Sequence, residues 1–254
     1  MESQKELIYS SKWDVMVILD ACRYDYFEKI ALPLLRQRRF NIIDYKKVYS
    51  LGGCTQEWFF NTFTEPLMDT IYISGNPYIR NGEVIAYDGK TRYNPSKLFS
   101  FVEDAWDRCW RQVNQVHTVD PNCLTILART WAIRSFKLGE NKRLIVHYMQ
   151  PHAPYPHEPS LRQYFANNKN TPDWNMWIAL REGRISKEHV AKGYTSNLSW
   201  VLRSVIRLLR TINDKIVVIT SDHGELFGEH GYYNHPCGVN VDLLRNVPWL
   251  VVRV

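Results

Sequence analysis

The amino-acid sequence predicts an α/β fold with a mainly parallel central sheet and helices on both faces of that sheet. Short runs of apolar, β-branched residues alternate along the chain with segments whose apolar residues recur at helical spacing. Such alternation is typical of a parallel sheet that is covered on both sides. The 254 residues contain no internal repeat, no low-complexity tract and no linker, so we expect a single domain over residues 1–254.

The predicted strands are short apolar runs bounded by polar residues or by glycine. The first covers residues 14–19 and ends at Asp20, after which Ala21 opens a helix. The strands that follow it along the chain cover residues 41–49, 69–74, 143–149, 215–220 and 247–254.

The predicted helices are read from apolar residues at helical spacing. The clearest one carries an apolar stripe from Leu198 to Ile212, as expected for a helix with one buried face. Shorter patterns predict helices over residues 57–63, 95–113 and 121–136. Residues 76–94 are predicted to be irregular, and residues 156–187 to form a loop-rich cover over the edge of the sheet.

Composition and charge exclude few classes of function. The formal net charge of +6 is mild and the basic residues are dispersed, so nucleic-acid binding is not indicated. No apolar run is long enough to span a membrane, and residues 1–13 lack the apolar core of a signal peptide. The scattered cysteines form no Cys-x-x-Cys pair, which favours reduced thiols and a cytoplasmic location. These five cysteines are Cys22, Cys54, Cys109, Cys123 and Cys237.

Polar residues of the types that enzymes use follow four of the predicted strands. Asp20 follows the first strand, a Gly-Gly-Cys-Thr turn ending at Thr55 follows the second, His152 follows the fourth, and Asp222 and His223 follow the fifth. Because parallel strands deliver their carboxyl ends to one edge of a sheet, we expect these residues to converge although they lie far apart in sequence.

The converging residues suit a divalent metal ion and an activated hydroxyl. Asp20, Asp222 and His223 offer two carboxylates and an imidazole to such an ion. Thr55 stands at the predicted start of a helix, where backbone N–H groups and the helix dipole favour negative charge. Binding of the metal to the Thr55 hydroxyl would lower the pKa of that hydroxyl and make it a nucleophile.

Two histidines complete the expected chemistry. His152 and His235 would bind or protonate an oxyanion or a leaving group. The tetra-oxygen group that such a site suits is a phosphate or sulfate ester. Structural alternatives remain open, since Asp20 and Thr55 are also good helix caps and His152 also suits an exposed loop.

The segments that carry these residues resemble those of the alkaline phosphatase superfamily, in particular its sulfatase-like branch. The most specific segment is SDHGELFGEHG at residues 221–231. The Gly-Gly-Cys-Thr turn at residues 52–55, the MQPHAPY segment at 149–155 and the closing strand also resemble that family. These segments span nearly the whole chain.

The resemblance implies one divalent metal ion, and the ligand types leave its identity open among Mn, Zn, Mg and Ca. Its implied ligands are Asp20, Thr55, Asp222 and His223. His152 and His235 match positions that contact the ester group, and His152 is also assigned a catalytic role. Arg23, three residues after the first metal acid, lies within reach of the pocket if Ala21 opens a helix.

The sequence departs from the sulfatase pattern at the nucleophile turn. Sulfatases of the main type carry Cys-x-Pro-Ser-Arg, whose cysteine is oxidised to formylglycine, whereas here Cys54 is followed by Thr-Gln-Glu-Trp. Counting back from the predicted helix over residues 57–63, Thr55 stands at the position of the nucleophile in that family, and Cys54 is the residue before it. A threonine there resembles phosphodiesterases and the phosphoglycerol or phosphoethanolamine transferases. The chain also ends soon after Val252, so we expect a fold truncated at the C-terminus relative to full sulfatases.

These observations predict a metal-dependent hydrolase or transferase that acts on an anionic ester, namely a phosphate ester, through a threonine nucleophile. Two alternatives stay open at this point. One is a sulfuric-ester hydrolase, and the other is a catalytically degenerate binding protein with the sulfatase fold.

Overall fold

The computed structural model describes residues 1–137, 139–140, 142–165 and 174–254. The strands are β1 (Val15–Leu19), β2 (Asn41–Tyr49), β3 (Leu67–Ser74), β4 (Val84–Ile85), β5 (Arg92–Tyr93), β6 (Phe99–Glu103), β7 (Trp110–Val113), β8 (Val116–Val119), β9 (Arg143–Tyr148), β10 (Ile216–Thr220), β11 (Leu226–Phe227), β12 (Tyr233–Asn234) and β13 (Asn246–Arg253). The α-helices are α1 (Gln4–Ser10), α2 (Tyr24–Tyr26), α3 (Leu32–Gln37), α4 (Thr55–Thr62), α5 (Ala105–Arg108), α6 (Pro121–Lys137), α7 (Trp174–Arg181), α8 (Lys187–Leu209) and α9 (Asp242–Arg245). A π-helical turn at Phe27–Ala31 joins α2 to α3, and 3-10 turns lie at Pro95–Lys97, Pro159–Tyr164 and Glu229–Gly231.

The central sheet contains seven of the described strands in the order β2-β13-β10-β1-β9-β3-β6. Only β13 runs against its neighbours β10 and β2, and the other strands share one direction. The predicted α/β fold with a mainly parallel sheet is therefore confirmed. The direction matters for function because the carboxyl ends of β1, β9 and β10 lie side by side.

Both faces of the sheet are covered, as the sequence predicts. Side chains alternate across β1, so that Val17 and Leu19 face one side and Met16 and Ile18 face the other. The first side packs against α6, α8 and the helical segment 24–37. The second packs against α1 and α4. All five residues of β1 are buried, which accounts for its unbroken apolar sequence.

A separate apolar cluster forms the cover beside the sheet. It joins the segment after β9, the 3-10 turn at Pro159–Tyr164, α7 and the start of α8. Tyr155, Trp177, Tyr194 and Phe227 are its largest buried side chains. The predicted cover over residues 156–187 therefore contains regular structure, while its central part, residues 166–173, lies outside the described residues.

The helix predicted over residues 95–113 is wrong. This stretch contains a 3-10 turn, the edge strand β6, the short helix α5 and the strand β7. Pairing with β3 satisfies the backbone groups of β6 along the sheet, and β7 pairs with β8 as a hairpin. Tertiary pairing thus outweighs the local helical pattern.

The expectation of reduced thiols is also wrong for four of the five cysteines. Cys54 is bonded to Cys237 and Cys109 to Cys123, while Cys22 is free and buried. The partners of the first disulfide are 183 residues apart, so only the fold brings them together. The cytoplasmic location stays a prediction, and the argument from reduced thiols no longer supports it.

No helix in the described part of the chain is both long enough and apolar enough to cross a membrane.

Candidate functional site

Two neighbouring strands bring the predicted acids and imidazole together. β1 and β10 pair in parallel up to Ile18 and Thr220, and Asp20, Asp222 and His223 follow directly. The backbone N–H of Ala21 donates a hydrogen bond of 3.0 Å to Oδ1 of Asp222, which ties the two strand ends to each other. Convergence at one edge of the sheet follows from strand direction, as expected.

The side chain of Ser221, which lies between the two strand ends, holds them together by hydrogen bonds. Its hydroxyl donates a hydrogen bond of 2.6 Å to the carbonyl of Leu19 and accepts one of 2.8 Å from the backbone N–H of Cys22. The side chain is fully buried, so these bonds do not compete with water. Ser221 therefore holds the turn after β1 against the turn after β10.

Thr55 is the first residue of α4 and lies directly over the acid and imidazole pair. Its Oγ1 donates a hydrogen bond of 2.8 Å to Oδ2 of Asp222 and lies 3.2 Å from Nε2 of His223. The preceding turn packs so closely on the helix that a Cβ on Gly52 would lie 2.0 Å from the backbone nitrogen of Trp58. A glycine is therefore required for the turn that presents the threonine hydroxyl.

The donor set around Thr55 fits a divalent metal ion. Ligand atoms of Asp20, Asp222 and His223 all lie within 4.8 Å of one another, and the three side chains are fully buried. Nε2 of His223 lies 3.3 Å from Oδ2 of Asp222 and 3.7 Å from Oδ1 of Asp20. Two carboxylates buried together repel each other unless a cation compensates them, and their oxygens with an imidazole and a hydroxyl suit a divalent ion.

Burial also sets the protonation states of this cluster. It lowers the pKa of His223 to about 4 and that of His147 to about 4. Burial raises the pKa of Asp222, but His223, His147 and hydrogen bonds outweigh it and hold that pKa below its ordinary value. At neutral pH the imidazoles are neutral and Asp222 is ionised, which are the forms that bind metals.

His147, which follows from no sequence pattern used above, belongs to the same cluster. Its Nε2 is buried, has no hydrogen-bond partner among the described residues, and lies 3.6 Å from Oδ2 of Asp222 and 3.9 Å from Oδ2 of Asp20. Its Nδ1 bonds the hydroxyl of Tyr72 at 2.8 Å. A buried imidazole nitrogen directed at two carboxylates is a further observation that fits a cation between them. The residue lies inside β9 rather than at its end, so strand-end reasoning misses it.

Asn76 is a second residue that the sequence reasoning missed. Its side-chain Nδ2 donates hydrogen bonds of 2.6 Å to Oδ2 of Asp20 and 3.1 Å to Oγ1 of Thr55. It follows β3 after Gly75, so its position at a strand end is the signal that identifies it. Asn76 orients the threonine hydroxyl toward the buried cluster.

His152 and His235 lie beside this cluster and next to each other. Their ring centroids are 4.8 Å apart, and the His235 ring lies 4.5 Å from that of His223. Nδ1 of His235 bonds Oε1 of the buried Glu225 at 3.1 Å. Ligand atoms of His152, Glu225 and His235 also lie within 4.8 Å of one another, which makes them a second group able to hold a cation. Sequence reasoning missed Glu225, although it stands two residues after His223.

Arg23 is placed away from the cavity, in contrast to the expected substrate contact. Ala21 has a φ of 59°, and the helix begins at Tyr24 rather than at Ala21. The guanidinium of Arg23 forms salt bridges of 2.8 Å with Asp25 and 2.9 Å with Glu229. It therefore connects the segment after β1 to the 3-10 turn at Glu229–Gly231.

A cavity of about 360 Å³ opens over the turn that carries Thr55. Thr55, Asn76, His152 and His235 line it, whereas the buried carboxylates lie beneath. In the part of the chain that the structure describes, no Lys, Arg, Asp or Glu lines this cavity. Aromatic side chains at the lining are Tyr78, Tyr87 and Tyr233.

Solved structures with a similar fold include three bacterial proteins. The soluble domain of lipooligosaccharide phosphoethanolamine transferase A from Neisseria meningitidis has a TM-score of 0.62 at 13% identity, over 96% of this chain and 78% of that one. The C-terminal periplasmic domain of EcEptC from Escherichia coli, in complex with Zn, has a TM-score of 0.55 at 13% identity, over 96% and 74%. The lipoteichoic acid synthase LtaP from Listeria monocytogenes has a TM-score of 0.52 at 10% identity, over 94% and 65%.

The family follows from sequence comparison. No curated protein matches the chain significantly. The family model described as Sulfatase, however, matches residues 78–244, which is well over half of the chain. The matched part contains His152, Asp222, His223 and His235 and begins after Thr55. The chain belongs to the sulfatase family, within the alkaline phosphatase superfamily.

Proposed function

We propose that the protein is a metal-dependent hydrolase or transferase of phosphate esters, with Thr55 as the nucleophile. The observation that carries this proposal is the position of the Thr55 hydroxyl, which bonds Asp222 at 2.8 Å and faces a cavity of about 360 Å³. The phosphoethanolamine transferase and the lipoteichoic acid synthase that share the fold support a phosphoester substrate.

Each residue of the site has a separate role in the proposed reaction. Oγ1 of Thr55 attacks phosphorus, a Thr55 O–P bond forms, and the bond from phosphorus to the leaving oxygen breaks. Asp222 accepts the hydroxyl proton at Oδ2. Asn76 orients Oγ1 for the attack through the hydrogen bond that its side-chain amide donates to that oxygen. His235 or His152 gives a proton to the leaving oxygen. In the second half, water or an alcohol gives a proton to the same histidine and attacks phosphorus, the bond from phosphorus to Oγ1 of Thr55 breaks, and Oγ1 recovers its proton from Asp222.

A single divalent ion, Mn, Zn, Mg or Ca, would be held by Asp20, Asp222, His223 and the Thr55 hydroxyl. When bound, it supplies positive charge that lowers the pKa of the hydroxyl and offsets the charge of the ester oxygens. The unpartnered nitrogen of His147, directed at the same carboxylates, supports this assignment.

A sulfatase mechanism through formylglycine receives no support from the nucleophile turn. That chemistry begins with a free cysteine thiol, and the sulfur of Cys54 is bonded to Cys237. The threonine that follows is the residue whose hydroxyl reaches the acid cluster.

The test uses bis(p-nitrophenyl) phosphate with Zn²⁺ or Mn²⁺ as added metal. We expect Thr55→Ala to lower turnover at least about 1,000-fold, because the nucleophile is lost. Thr64→Ala, which changes an exposed threonine nearby, is the matched control and should retain activity. Full activity of Thr55→Ala would exclude Thr55 as the nucleophile. Wild-type protein that neither turns over esters nor binds metal would favour the binding-protein alternative.

A further inference from the structure

The segment that carries His235 is half-buried or exposed along its whole length. From Gly228 to Leu243 no residue is buried, and this stretch contains only the short strand β12, a 3-10 turn and the start of α9. Segments with few buried apolar contacts open locally at low free-energy cost. His235 nevertheless has to keep a fixed position relative to Thr55, because both line the same cavity.

The side chain of His235 bonds Oε1 of the buried Glu225 at 3.1 Å, and its ring lies 4.5 Å from that of His223. The backbone of the segment on either side of His235 is held mostly by contacts near the surface. On one side, β12 pairs with the two residues of β11. On the other side, the backbone N–H of Gly238 donates to Oε2 of Glu57 at 3.2 Å, and the hydroxyl of Tyr49 donates to Asn240 at 2.9 Å. Such exposed hydrogen bonds contribute little net stability.

The Cys54–Cys237 disulfide provides a covalent anchor at this point. Cys54 occupies the N-cap position of α4 and immediately precedes Thr55, while Cys237 comes two residues after His235. Both cysteines line the cavity. The bond therefore joins the backbone beside the nucleophile to the backbone beside His235, across a sequence separation of 183 residues.

We propose that the Cys54–Cys237 disulfide is a positioning element of the reaction, which holds His235 in a fixed position relative to Thr55 within the cavity. This inference rests on the proposed function. It assigns the disulfide no contact with substrate: the bond acts through His235, and the buried metal-ligand cluster does not depend on it. The Cys109–Cys123 disulfide, which joins the region before β7 to α6, has no such role.

The kinetic test compares Cys54→Ser/Cys237→Ser with Cys109→Ser/Cys123→Ser as the matched control. Serine is a good helix cap, so the first change keeps the start of α4. We expect kcat on bis(p-nitrophenyl) phosphate to fall about 10- to 100-fold in the first variant, with little change in KM, because misplacement of a reacting group by about 1 Å has such effects. The control should stay within about twofold of wild type. An equal loss in both variants, or none in the first, would overturn the proposal.

A double-mutant cycle separates positioning from a general loss of structure. If the disulfide acts through His235, its removal in a His235→Ala background should lower kcat no further. Additive losses would show that the bond acts elsewhere. Zn²⁺ affinity, measured by titration of the protein with the metal alone, should be the same in the disulfide variant and in wild type.

A readout without catalysis keeps this inference separate from the proposed function. We expect chymotrypsin to cleave after Tyr232 or Tyr233 at least about tenfold faster in Cys54→Ser/Cys237→Ser than in wild type, because local opening exposes the segment. Treatment with a dithiol, which is oxidised to its cyclic disulfide as Cys54 and Cys237 become thiols, should have the same effect. Inactive wild-type protein would defeat the proposed function alone, whereas unchanged cleavage would defeat the anchoring role.

Discussion

Individual buried side chains determine what this site can bind. Asp20, Asp222 and His223 are fully buried, and His147 lies against the same carboxylates. Charges are costly to bury unless they are paired, so such a cluster is retained where a cation compensates it. Two of our predictions concern single residues.

Substitution of His147 should weaken metal binding. We expect His147→Ala to reduce Zn²⁺ affinity about 10- to 100-fold, because a group beside the carboxylates that orients or completes the ligand set is lost. Isothermal titration of the metal-free protein measures this. His189→Ala changes an exposed histidine of α8 and serves as the control. Equal affinities of His147→Ala and wild type would assign His147 to packing alone.

Glu229 should make stability depend on acid pH. Burial raises its pKa, but hydrogen bonds from Lys187 and Arg23 outweigh burial and lower the pKa from 4.5 to about 2. A depressed pKa stabilises the folded state above pH 4.5, and this contribution is lost as the pH falls toward 2. The free energy of unfolding, measured in urea, should therefore differ more between wild type and Glu229→Gln at pH 5.5 than at pH 2.5. A difference independent of pH would contradict this assignment.

At the scale of elements, close backbone contacts join the turn after β10 to the segment before β13. The N–H of Gly224 donates to the carbonyl of Leu244 at 2.9 Å, and a Cβ on Gly224 would lie 1.8 Å from the carbonyl oxygen of Leu243. This approach fixes the turn that carries His223. The glycine is required by space rather than by a positive φ.

Replacement of this glycine should destabilise the protein strongly. We expect Gly224→Ala to lower the free energy of unfolding by about 3 kcal/mol or more, because the backbone has to move apart. Gly231→Ala is the control, since its Cβ would meet nothing within 4 Å and only its φ of 76° is unfavourable, at a cost of about 1–2 kcal/mol. Thermal unfolding of both variants provides the comparison. Similar losses in both would contradict the predicted role of close packing.

Sequence patterns predicted some elements much better than others. The strand at β1 and the helix α8 were predictable because their apolar residues are buried at strand or helix spacing. The stretch after Pro95 was not, because β6 is an edge strand with mixed exposure and its pairing with β3 cannot be read locally. Most errors therefore lie where long-range pairing decides the structure.

The candidate site was predictable mainly at strand ends, with Asn76 after β3 as an exception. Sequence reasoning found Asp20, Thr55 and Asp222 because each follows a strand of the sheet. It missed His147, which points out from within β9, and Glu225, whose role depends on the fold around His235. The disulfide between Cys54 and Cys237 could not be predicted either, because only the fold brings residues so far apart in sequence together.

At the scale of the whole molecule, metal binding should stabilise the fold. Zn²⁺ at about 100 times its Kd should add about 2.7 kcal/mol to the free energy of unfolding. For a protein of this size, that raises Tm by roughly 5–11 °C, at about 2–4 °C per kcal/mol. A chelator should reverse the shift, as followed by calorimetry. Asp222→Asn, which removes a ligand charge, should respond much less. Identical Tm values with and without Zn²⁺ would argue against a metal site.

The order of strands in the sheet has a consequence for folding of the chain. Among the described strands of the sheet, β2, which leads into the turn before Thr55, pairs only with β13, about 200 residues later. The pairing of β1 with β9 and β10 does not involve β13, whereas β2 reaches the rest of the sheet only through it. Because contacts between distant parts of a chain form slowly, we expect Asp20, Asp222 and His223 to come together before the segment that carries Thr55 joins them.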